Sequence, residues 1–341
     1  MNVQELNIIA SAMVAPGRGI LAMDESHPTC NKRFESLGIS TTEEMRQSYR
    51  DMLVTAPGLS DYIGGAILFD ETIRQKTLEG IPFAEYLRKN GIIPGIKVDA
   101  GAKVLAGHDD EKVTEGLDGL RERLAEYYEL GARFSKWRAV ITIGKDIPSW
   151  ACIEANAHAL ARYALLSQEA GIVPIVEPEV LMDGDHSIER CYEVTELAQR
   201  ITFQQLKNQG VALEGMILKP SMVISGASAK NRADMQTVAE MTVKCLLASV
   251  PATVPGVAFL SGGQSDEEAS AHLNAMNAMG VKLPWALTFS YGRALQQTAM
   301  KTWMGETANV EKAQNALLWR AKCNGSAALG KYTEAMEKQS A

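Results

Sequence analysis

Short apolar runs alternate along the chain with longer segments in which apolar residues recur at helical spacing. The runs are "GILAMDE", "GGAILFDE", "IIPGIKVD", "ARFSKWRAV", "IVPIVEPEV", "GMILKPSM", "GVAFLSGGQ" and "PWALTFSYGR". The marker residues, one per run, are Asp24, Asp70, Lys97, Lys136, Glu177, Lys219, Ser261 and Ser290, and their successive spacings are 46, 27, 39, 41, 42, 42 and 29 residues. This spacing predicts a strand followed by a crossover helix, repeated eight times.

The segments between the runs carry helix boundary signals. "TTEEMRQSYRDMLVTA" places Thr41 and Glu44 at capping-box spacing, and "SDEEASAHLNAMNAMG" places Ser265 and Glu268 in the same way. "SWACIEANAHALARYALLSQEAG" ends at a glycine, as helix C-termini often do. These segments are therefore predicted to be the crossover helices.

Eight strand–helix units predict an α/β fold, a (β/α)₈ or TIM barrel, which takes about 250 residues. The chain has 341 residues, so the barrel is placed over about residues 18–300 and further helices over about 301–341. The leading segment "MNVQELNIIASAMVAPG" reads as a short amphipathic helix. No linker interrupts the pattern, and residues 1–341 are predicted to form a single domain.

Most of the runs end in residues that can ionise or bind phosphate. These residues are Asp24, Lys97, Lys136, Arg138, Glu177, Glu179, Lys219, Ser261, Gly262, Gly263, Ser290, Gly292 and Arg293. In a closed parallel barrel the carboxyl ends of all strands meet on one face, where catalytic sites lie. A single buried charge is explained equally well by a structural ion pair, but seven strands ending in this way indicate a site.

Lys219 stands out because it lies in an apolar run with a proline directly behind it. A lysine of ordinary pKa is almost entirely protonated at neutral pH, whereas only the neutral amine attacks a carbonyl. Apolar surroundings and nearby cations such as Lys97, Lys136 and Arg138 both lower a lysine pKa. We therefore interpret Lys219 as a nucleophile that forms a Schiff base. The alternatives are that Lys136 has this role, or that Lys219 only pairs with a glutamate.

Breaking a bond next to such an imine requires a general base, for which Asp24, Glu177 and Glu179 are candidates. The turn "LSGGQSDEE" offers backbone amides at a helix start, and "SYGRAL" adds a guanidinium, so this corner is predicted to bind a phosphate. A second polar group follows the first strand, in "DESHPTCNKR", and is expected at the opposite edge of the mouth. It comprises Ser26, Thr29, Lys32 and Arg33. Two anion sites predict a bisphosphate ligand.

Composition and charge narrow the class of protein. A formal net charge of −7 and a pI near 5.4 argue against nucleic-acid binding. No segment has the length of a membrane span, and the amino terminus does not resemble a signal or transit peptide. Five unpaired cysteines fit a reducing compartment, and five scattered histidines argue against a metal site. We predict a cytoplasmic enzyme without cofactor or metal, although a mature plastid form is also compatible.

These residues resemble class I fructose-bisphosphate aldolases, and the plastid and cyanobacterial branch more than the vertebrate one. The similar motifs are "GRGILAMDES", "LVTAPGL", "GIKVD", "KWR", "GIVPIVEPE", "DGDH", "EGMILKPSMV", "FLSGGQS" and "LTFSYGRALQ". The resemblance covers about Met1 to Tyr332 and implies reversible, metal-independent cleavage of fructose 1,6-bisphosphate into two triose phosphates. It also implies a homotetramer.

The same resemblance implies a role for each matching residue. Lys219 would form the imine with the C2 ketone, and Asp24 would accept the C4 hydroxyl proton. Lys136 and Glu177 would assist carbinolamine dehydration, with Glu179 holding the lysine network. The residues for the 1-phosphate would be Ser261, Gly262 and Arg293. Those for the sugar and its distal phosphate would be Ser26, Lys97, Arg138, Lys32 and Arg33.

Two departures from the family pattern bear on these roles. Thr29 stands where serine is frequent, and it keeps the hydroxyl. Many members have a terminal tyrosine that helps to protonate the enamine, whereas this chain ends "KYTEAMEKQSA", with its last tyrosine, Tyr332, in a predicted helix. Enamine protonation is therefore expected to depend on Glu177 or water.

Other functions fit these residues less well. A transaldolase or a deoxyribose-phosphate aldolase also uses a barrel lysine but does not need two phosphate corners, and a metal-dependent aldolase needs histidine ligands. Sedoheptulose 1,7-bisphosphate is compatible as a substrate because its two ends match those of fructose 1,6-bisphosphate. A non-catalytic barrel that serves as a binding scaffold would not need to keep the lysines or Asp24.

Overall fold

Eight parallel strands form a closed barrel, as the sequence predicts. The computed structural model describes residues 2–339. The barrel strands are β1 (Gly19–Ala22), β2 (Ile63–Leu68), β3 (Ile93–Lys97), β6 (Phe134–Ile141), β7 (Val173–Val180), β8 (Ile217–Leu218), β9 (Gly256–Phe259) and β10 (Ala286–Tyr291). Their order around the barrel is β1-β10-β9-β8-β7-β6-β3-β2, and β2 pairs with β1 to close it. Each strand therefore pairs with its sequence neighbours in the barrel, as short right-handed crossovers require.

Helices cover the outside of this barrel. They are α1 (Val3–Met13), α2 (His27–Glu35), α3 (Glu43–Val54), α4 (Asp70–Arg74), α5 (Phe83–Lys89), α6 (Leu120–Glu129), α7 (Trp150–Glu169), α8 (Ile188–Gln209), α9 (Met235–Ser249), α10 (Asp266–Ala278), α11 (Arg293–Trp303) and α12 (Val310–Ala328). Short 3₁₀ helices span Leu59–Asp61, Leu213–Gly215, Thr307–Asn309 and Glu334–Gln339. Within the described part of the chain, none of the helices combines the length and the apolar character needed to span a membrane.

One of the two predicted capping boxes is confirmed. Ser265 caps α10 by accepting from the Glu268 amide, and the Glu268 side chain accepts from the Ser265 amide. The box proposed for Thr41 and Glu44 is wrong, because the helix begins one residue later. Thr42 caps α3 through the Met45 amide instead, since its backbone is extended while residue 43 is already helical.

An antiparallel hairpin, β4 (Ala102–Leu105) and β5 (His108–Thr114), was not predicted. Its strands are mostly polar, so no apolar run marks them. Asn156 on α7 holds it by donating to the Lys112 carbonyl at 2.8 Å, and the Thr114 hydroxyl donates to the Arg138 carbonyl at 2.7 Å. The hairpin therefore supports the end of β6 beside the barrel mouth.

The barrel interior contains an apolar layer near the amino ends of the strands. This layer consists of Ile20, Ala22, Ile67, Phe134, Val173, Ile175, Ile217 and Ala258, packed with Leu6, Ala10, Met13 and Val14 from α1 and the residue after it. The predicted leading helix therefore exists, and it closes this end of the barrel. A Cβ on Gly64 would lie 2.7 Å from the Met13 carbonyl oxygen, so only glycine allows this close approach.

The helices predicted beyond residue 300 are confirmed in part. α11 runs to Trp303 and α12 covers Val310–Ala328, while residues 340–341 lie outside the described part of the chain. The helical prediction for Tyr332 is wrong: Gly330 takes a positive φ of 66° and ends the helical path, so Tyr332 lies in the connection before the last 3₁₀ helix.

Candidate active site

Two lysines and two carboxylates form a buried cluster at the carboxyl ends of β1, β6, β7 and β8. Lys219 Nζ lies 3.2 Å from Glu177 Oε1, and Lys136 Nζ lies 3.5 Å from Glu177 Oε2. Lys136 Nζ also contacts Asp24 Oδ2 at 2.8 Å. Glu177 is thus shared between the two lysines, and Lys136 connects it to Asp24.

The balance of charge in this cluster favours the ionised forms of Lys136 and Asp24. Burial alone would raise the pKa of Asp24, but Lys136 and then Lys219 outweigh it and hold that pKa well below its ordinary value. Burial alone would lower the pKa of Lys136, but Asp24, Glu177 and Asp99 outweigh it and raise that pKa.

A second group of charges lies beside the first, at the ends of β3 and β6. Arg138 Nε donates to Glu179 Oε2. Burial alone would lower the pKa of Arg138, but Glu179 outweighs it and raises that pKa. In this structure Glu179 therefore contacts Arg138, and its role in holding the lysine network stays a prediction. Lys97 Nζ contacts Asp99 Oδ1 at 2.7 Å.

Asp99 was missed by the sequence analysis. Its side chain is only 3% exposed and its Oδ2 lies 3.9 Å from Lys136 Nζ. The signal was present in "GIKVD", because a carboxylate two residues after Lys97 lies on the same side of an extended chain.

The predicted phosphate corner is a turn between β9 and α10. Gly262 and Gly263 have positive φ angles of 57° and 97°, and the Gln264 amide donates to the Ser261 carbonyl at 3.0 Å. A Cβ on Gly263 would lie 3.4 Å from the Arg293 guanidinium. Backbone amides, a hydroxyl and a guanidinium therefore converge where a helix begins, as anion sites require.

Side chains next to this turn support it. Gln264 is buried; its Nε2 donates to the Ser261 carbonyl and its Oε1 lies 2.6 Å from His272 Nδ1. Ser290 also lies at the mouth, with its buried Oγ lacking a hydrogen-bond partner among the described residues. A Cβ on Gly292 would lie 3.2 Å from the Ala22 carbonyl oxygen, so the small residue allows β10 and β1 to meet.

The group after the first strand is placed differently from our expectation. It was expected at the edge of the mouth opposite the phosphate corner. However, β1, which precedes this group, pairs with β10, which precedes Arg293, and Leu21 lies opposite Tyr291. The group after β1 and the phosphate corner are therefore neighbours. The Ser26 and Thr29 hydroxyls lie 3.2 Å apart and Arg33 donates to Glu25 at 2.6 Å.

All these groups open into one cavity of about 360 Å³. It is lined by Ala22, Asp24, Glu25, Ser26, Thr29, Arg33, Lys97, Lys136, Arg138, Glu177, Glu179, Leu181, Asp183, Lys219, Leu260, Ser261, Gly262, Gly263, Ser290, Gly292 and Arg293. Of the predicted site residues, only Lys32 is outside this lining, with an exposed side chain. The role of Lys32 therefore stays a prediction, while Arg33, the next residue on α2, lines the cavity.

Glu25, Leu181 and Asp183 line the cavity but were not predicted. Glu25 follows Asp24 directly, and alternation along a strand would place it on the other side. The strand ends at Ala22, so that rule no longer applies. Among residues 2–339, no group of three or more His, Cys, Asp or Glu side chains is arranged to hold a metal ion.

The fold and the cavity define a barrel enzyme with a lysine–carboxylate centre next to a phosphate-type turn. Comparison with known proteins is consistent with that class and narrows it. The family model described as "Fructose-bisphosphate aldolase class-I" matches residues 5–341.

Several relatives and a solved structure are similar over nearly the whole chain. A "Probable fructose-bisphosphate aldolase class 1" from Xanthomonas campestris pv. campestris is 63% identical over 333 residues, covering 97% of this chain and 99% of that protein. Chloroplastic aldolase 3 of Arabidopsis thaliana is 51% identical over 337 residues, covering 99% and 85%. A structure of the Plasmodium falciparum enzyme, in complex with TRAP and a small-molecule inhibitor, superposes with a TM-score of 0.95 at 50% identity, covering 97% and 96%.

The chain belongs to the class I fructose-bisphosphate aldolase family. It is a carbon–carbon lyase that cleaves fructose 1,6-bisphosphate reversibly into dihydroxyacetone phosphate and glyceraldehyde 3-phosphate through a Schiff base. The predicted fold class and activity are thereby confirmed.

Proposed function

We propose that Lys219 is the Schiff-base lysine and that the cluster around Glu177 carries protons to and from it. The contact of Glu177 with both Lys219 and Lys136, and of Lys136 with Asp24, is the observation that supports this proposal most strongly. It provides a continuous path for protons from the Lys219 amine to Asp24, the proposed base.

The reaction begins with attack of neutral Lys219 on the C2 carbonyl of the ketose. Glu177 and Lys136 supply the proton that lets the carbinolamine oxygen leave as water. Asp24 then takes the proton of the C4 hydroxyl, the C3–C4 bond breaks, and its electron pair moves into the imine to give an enamine. Glyceraldehyde 3-phosphate leaves first. Protonation of C3 by Glu177 or water, followed by hydrolysis of the imine, releases dihydroxyacetone phosphate.

The rest of the cavity orients the substrate. The 1-phosphate is assigned to the Ser261–Gly263 turn and Arg293, because amides and a guanidinium converge there. Ser290 and Gly292 complete this wall.

The sugar and the distal phosphate are assigned to Lys97, Arg138, Ser26, Thr29 and Arg33. Glu179 orients Arg138. Lys32 is left out of the assignment because its side chain lies outside the cavity lining.

Sedoheptulose 1,7-bisphosphate presents the same two ends as fructose 1,6-bisphosphate, so it is proposed as a second substrate. Comparing turnover of the six- and seven-carbon bisphosphates, with EDTA present, tests both the substrate range and the metal-independent chemistry.

The role of Asp24 can be separated from that of Lys219 by substitution. Asp24→Asn should still form an imine with dihydroxyacetone phosphate, while cleavage of fructose 1,6-bisphosphate should fall by about 10³ or more. Asp70→Asn is the matched control, since Asp70 also follows a barrel strand but pairs with Arg74 and Tyr127 outside the cavity. Full cleavage activity in Asp24→Asn would contradict the assignment.

The chain as a whole is proposed to act as one barrel domain, to assemble as a homotetramer, and to work in the cytoplasm. The apolar layer that runs from α1 through the barrel supports the single domain. Relatives named as cytosolic and as chloroplastic are about equally similar, at 52% and 51% identity. Sedimentation of the purified protein as a monomer would contradict the tetramer.

A further inference from the structure

Asp99 lies behind the cavity wall, at the end of β3, and is one of the most heavily contacted carboxylates near the site. Its Oδ1 accepts from Lys97 Nζ at 2.7 Å and from the Gly101 amide at 3.1 Å. Its Oδ2 accepts from the Arg138 amide at 3.3 Å and lies 3.9 Å from Lys136 Nζ. One carboxylate thus connects the three cationic residues on β3 and β6.

The position of Asp99 is fixed by the backbone around it. The Ala100 amide donates to the Glu115 carbonyl at 2.8 Å, and the Glu115 amide donates to the Gly101 carbonyl at 3.1 Å. These bonds attach the turn after β3 to the base of the hairpin. A Cβ on Gly116 would lie 2.7 Å from the Ala100 amide nitrogen, so the turn and the hairpin are in close contact. The carboxylate therefore has little freedom to follow Lys97 if that side chain moves.

Lys97 depends on Asp99 for its orientation. Its ammonium contacts the Asp99 carboxylate and also the Asp99 carbonyl oxygen at 2.8 Å, and its side chain is 16% exposed. A lysine side chain has several rotatable bonds and no geometric preference of its own, so two fixed acceptors determine where its charge lies. Lys97 lines the cavity, whereas Asp99 is outside the lining.

Asp99 also offsets cationic charge at the site, since its carboxylate lies 2.7 Å from Lys97 Nζ and 3.9 Å from Lys136 Nζ. Without Asp99, Lys97 would be free to turn toward Asp24, whose pKa it already helps to lower. It would then compete with Lys136 for the proposed base.

We propose that Asp99 is a positioning residue of the aldolase reaction, which holds Lys97 toward the distal end of the bound sugar and away from Asp24. This inference rests on the proposed function in one respect, the assignment of Lys97 to the sugar and its distal phosphate. Asp99 acts through Lys97 and does not itself contact the substrate.

The test is a double-mutant cycle with Asp99→Asn, Lys97→Met and the double variant, each assayed with fructose 1,6-bisphosphate and with fructose 1-phosphate. Asparagine keeps the shape of the side chain and an acceptor oxygen but removes the charge. Asp99→Asn should lower kcat/KM for the bisphosphate by about 10- to 100-fold and for fructose 1-phosphate by clearly less. In the Lys97→Met background the same substitution should cost less than threefold.

Each outcome of this cycle decides the proposal. An equal loss for the two substrates, or the same loss with and without Lys97, indicates a merely structural role and overturns the inference. Lys97→Met with normal kcat/KM would refute the proposed assignment of Lys97, and the inference with it. If Lys97→Met loses activity while Asp99→Asn retains it, only the inference is wrong.

Folding of the variants is checked by thermal unfolding, with Asp70→Asn as the control for loss of a carboxylate that follows a barrel strand outside the cavity. If Asp99→Asn does not fold, Asp99→Glu takes its place in the same cycle, because it keeps the charge but displaces it by about one methylene. As with Asp99→Asn, the loss of kcat/KM should be larger for the bisphosphate than for fructose 1-phosphate, and it should largely disappear in the Lys97→Met background. A loss that depends on neither the distal phosphate nor Lys97 overturns the proposal.

Discussion

The inward-facing residues at the two ends of the same barrel strands differ in chemistry. On β6, Phe134 fills the interior near the amino end, and two residues later Lys136 opens into the cavity. On β7, Ile175 is followed in the same way by Glu177, and on β8 Ile217 is followed by Lys219. Alternation along each strand is unchanged, and only the chemistry of the inward-facing residues changes from apolar to ionisable.

This difference separates stability from function along the barrel axis. The apolar layer, continued by α1, excludes water and fixes the positions of the strands. The ionisable layer is nearly as buried, with Lys219 4% exposed, but its groups must be paired and hydrogen-bonded to stay there. Substitutions in the two layers should therefore affect different measurements.

The largest effect is expected for Lys219→Met in the ionisable layer. Turnover should fall by about 10⁴ or more because the nucleophile is removed. The free energy of unfolding, measured in urea, should fall by only about 1–2 kcal/mol, because Glu177 loses one of its two lysine partners and keeps Lys136. Lys282→Met is the control, because Lys282 is exposed in the loop before β10. Residual turnover above about one hundredth of the wild-type value would contradict the assignment.

In the apolar layer, Phe134→Ala should have the opposite profile. Phe134 is fully buried, and a Cβ on Gly95 would lie 2.3 Å from its ring, so the aromatic side chain fills the space between these strands. Its loss should lower the free energy of unfolding by about 3–5 kcal/mol. KM of the folded enzyme should change little.

The matched control for Phe134→Ala is Ile8→Ala, which truncates a side chain that is 62% exposed and should cost less than about 0.5 kcal/mol. A Phe134→Ala variant with normal stability but weakened substrate binding would show that the two layers are not separate.

Lys136→Met should connect the ionisable layer to the pH dependence of stability. With Lys136 present, the lowered pKa of Asp24 contributes stability above the ordinary pKa of an aspartate, and this is lost as pH falls through the folded value. Without Lys136, the pKa of Asp24 should rise, because burial is then opposed only by Lys219 and Lys97. The variant should be less stable by about 1–3 kcal/mol near pH 7, and the difference should shrink only as pH falls below about 4, where Asp24 begins to bind its proton.

Urea unfolding of both proteins from neutral pH down to about pH 3 measures that difference. Arg74→Met, which removes exposed ion pairs with Asp70 and Glu126, is the control and should show a small difference at every pH. A gap between wild type and Lys136→Met that stays constant or widens toward acid would contradict the charge balance described for Asp24.

The smallest effect on stability and activity is expected for Tyr332→Phe, because Tyr332 lies outside both layers. The Tyr332 hydroxyl donates to Glu337 at 2.8 Å and its amide donates to Asn274 at 2.9 Å, so the residue is attached to the outside of the barrel. The substitution should cost about 1 kcal/mol of stability. Proton exchange on dihydroxyacetone phosphate should stay within about twofold, and a tenfold fall would contradict protonation by Glu177 or water.

The sequence predicts the ionisable layer but not how its charges pair. The inward positions follow from alternation, so Lys136, Glu177 and Lys219 could be assigned to one mouth before the structure was known. The contact between Arg138 and Glu179 could not, because it depends on the register of β6 against β7. The adjacency of Ser26 to the phosphate corner could not either, because it depends on how the barrel closes between β1 and β10.

The central claim is that Lys219 forms the covalent imine. The most direct measurement is borohydride reduction of the enzyme with dihydroxyacetone phosphate, followed by mass spectrometry of the peptides. One adduct per chain is expected, on Lys219 in "GMILKPSM". An unlabelled Lys219, with the adduct on Lys136 or on no lysine, would contradict it.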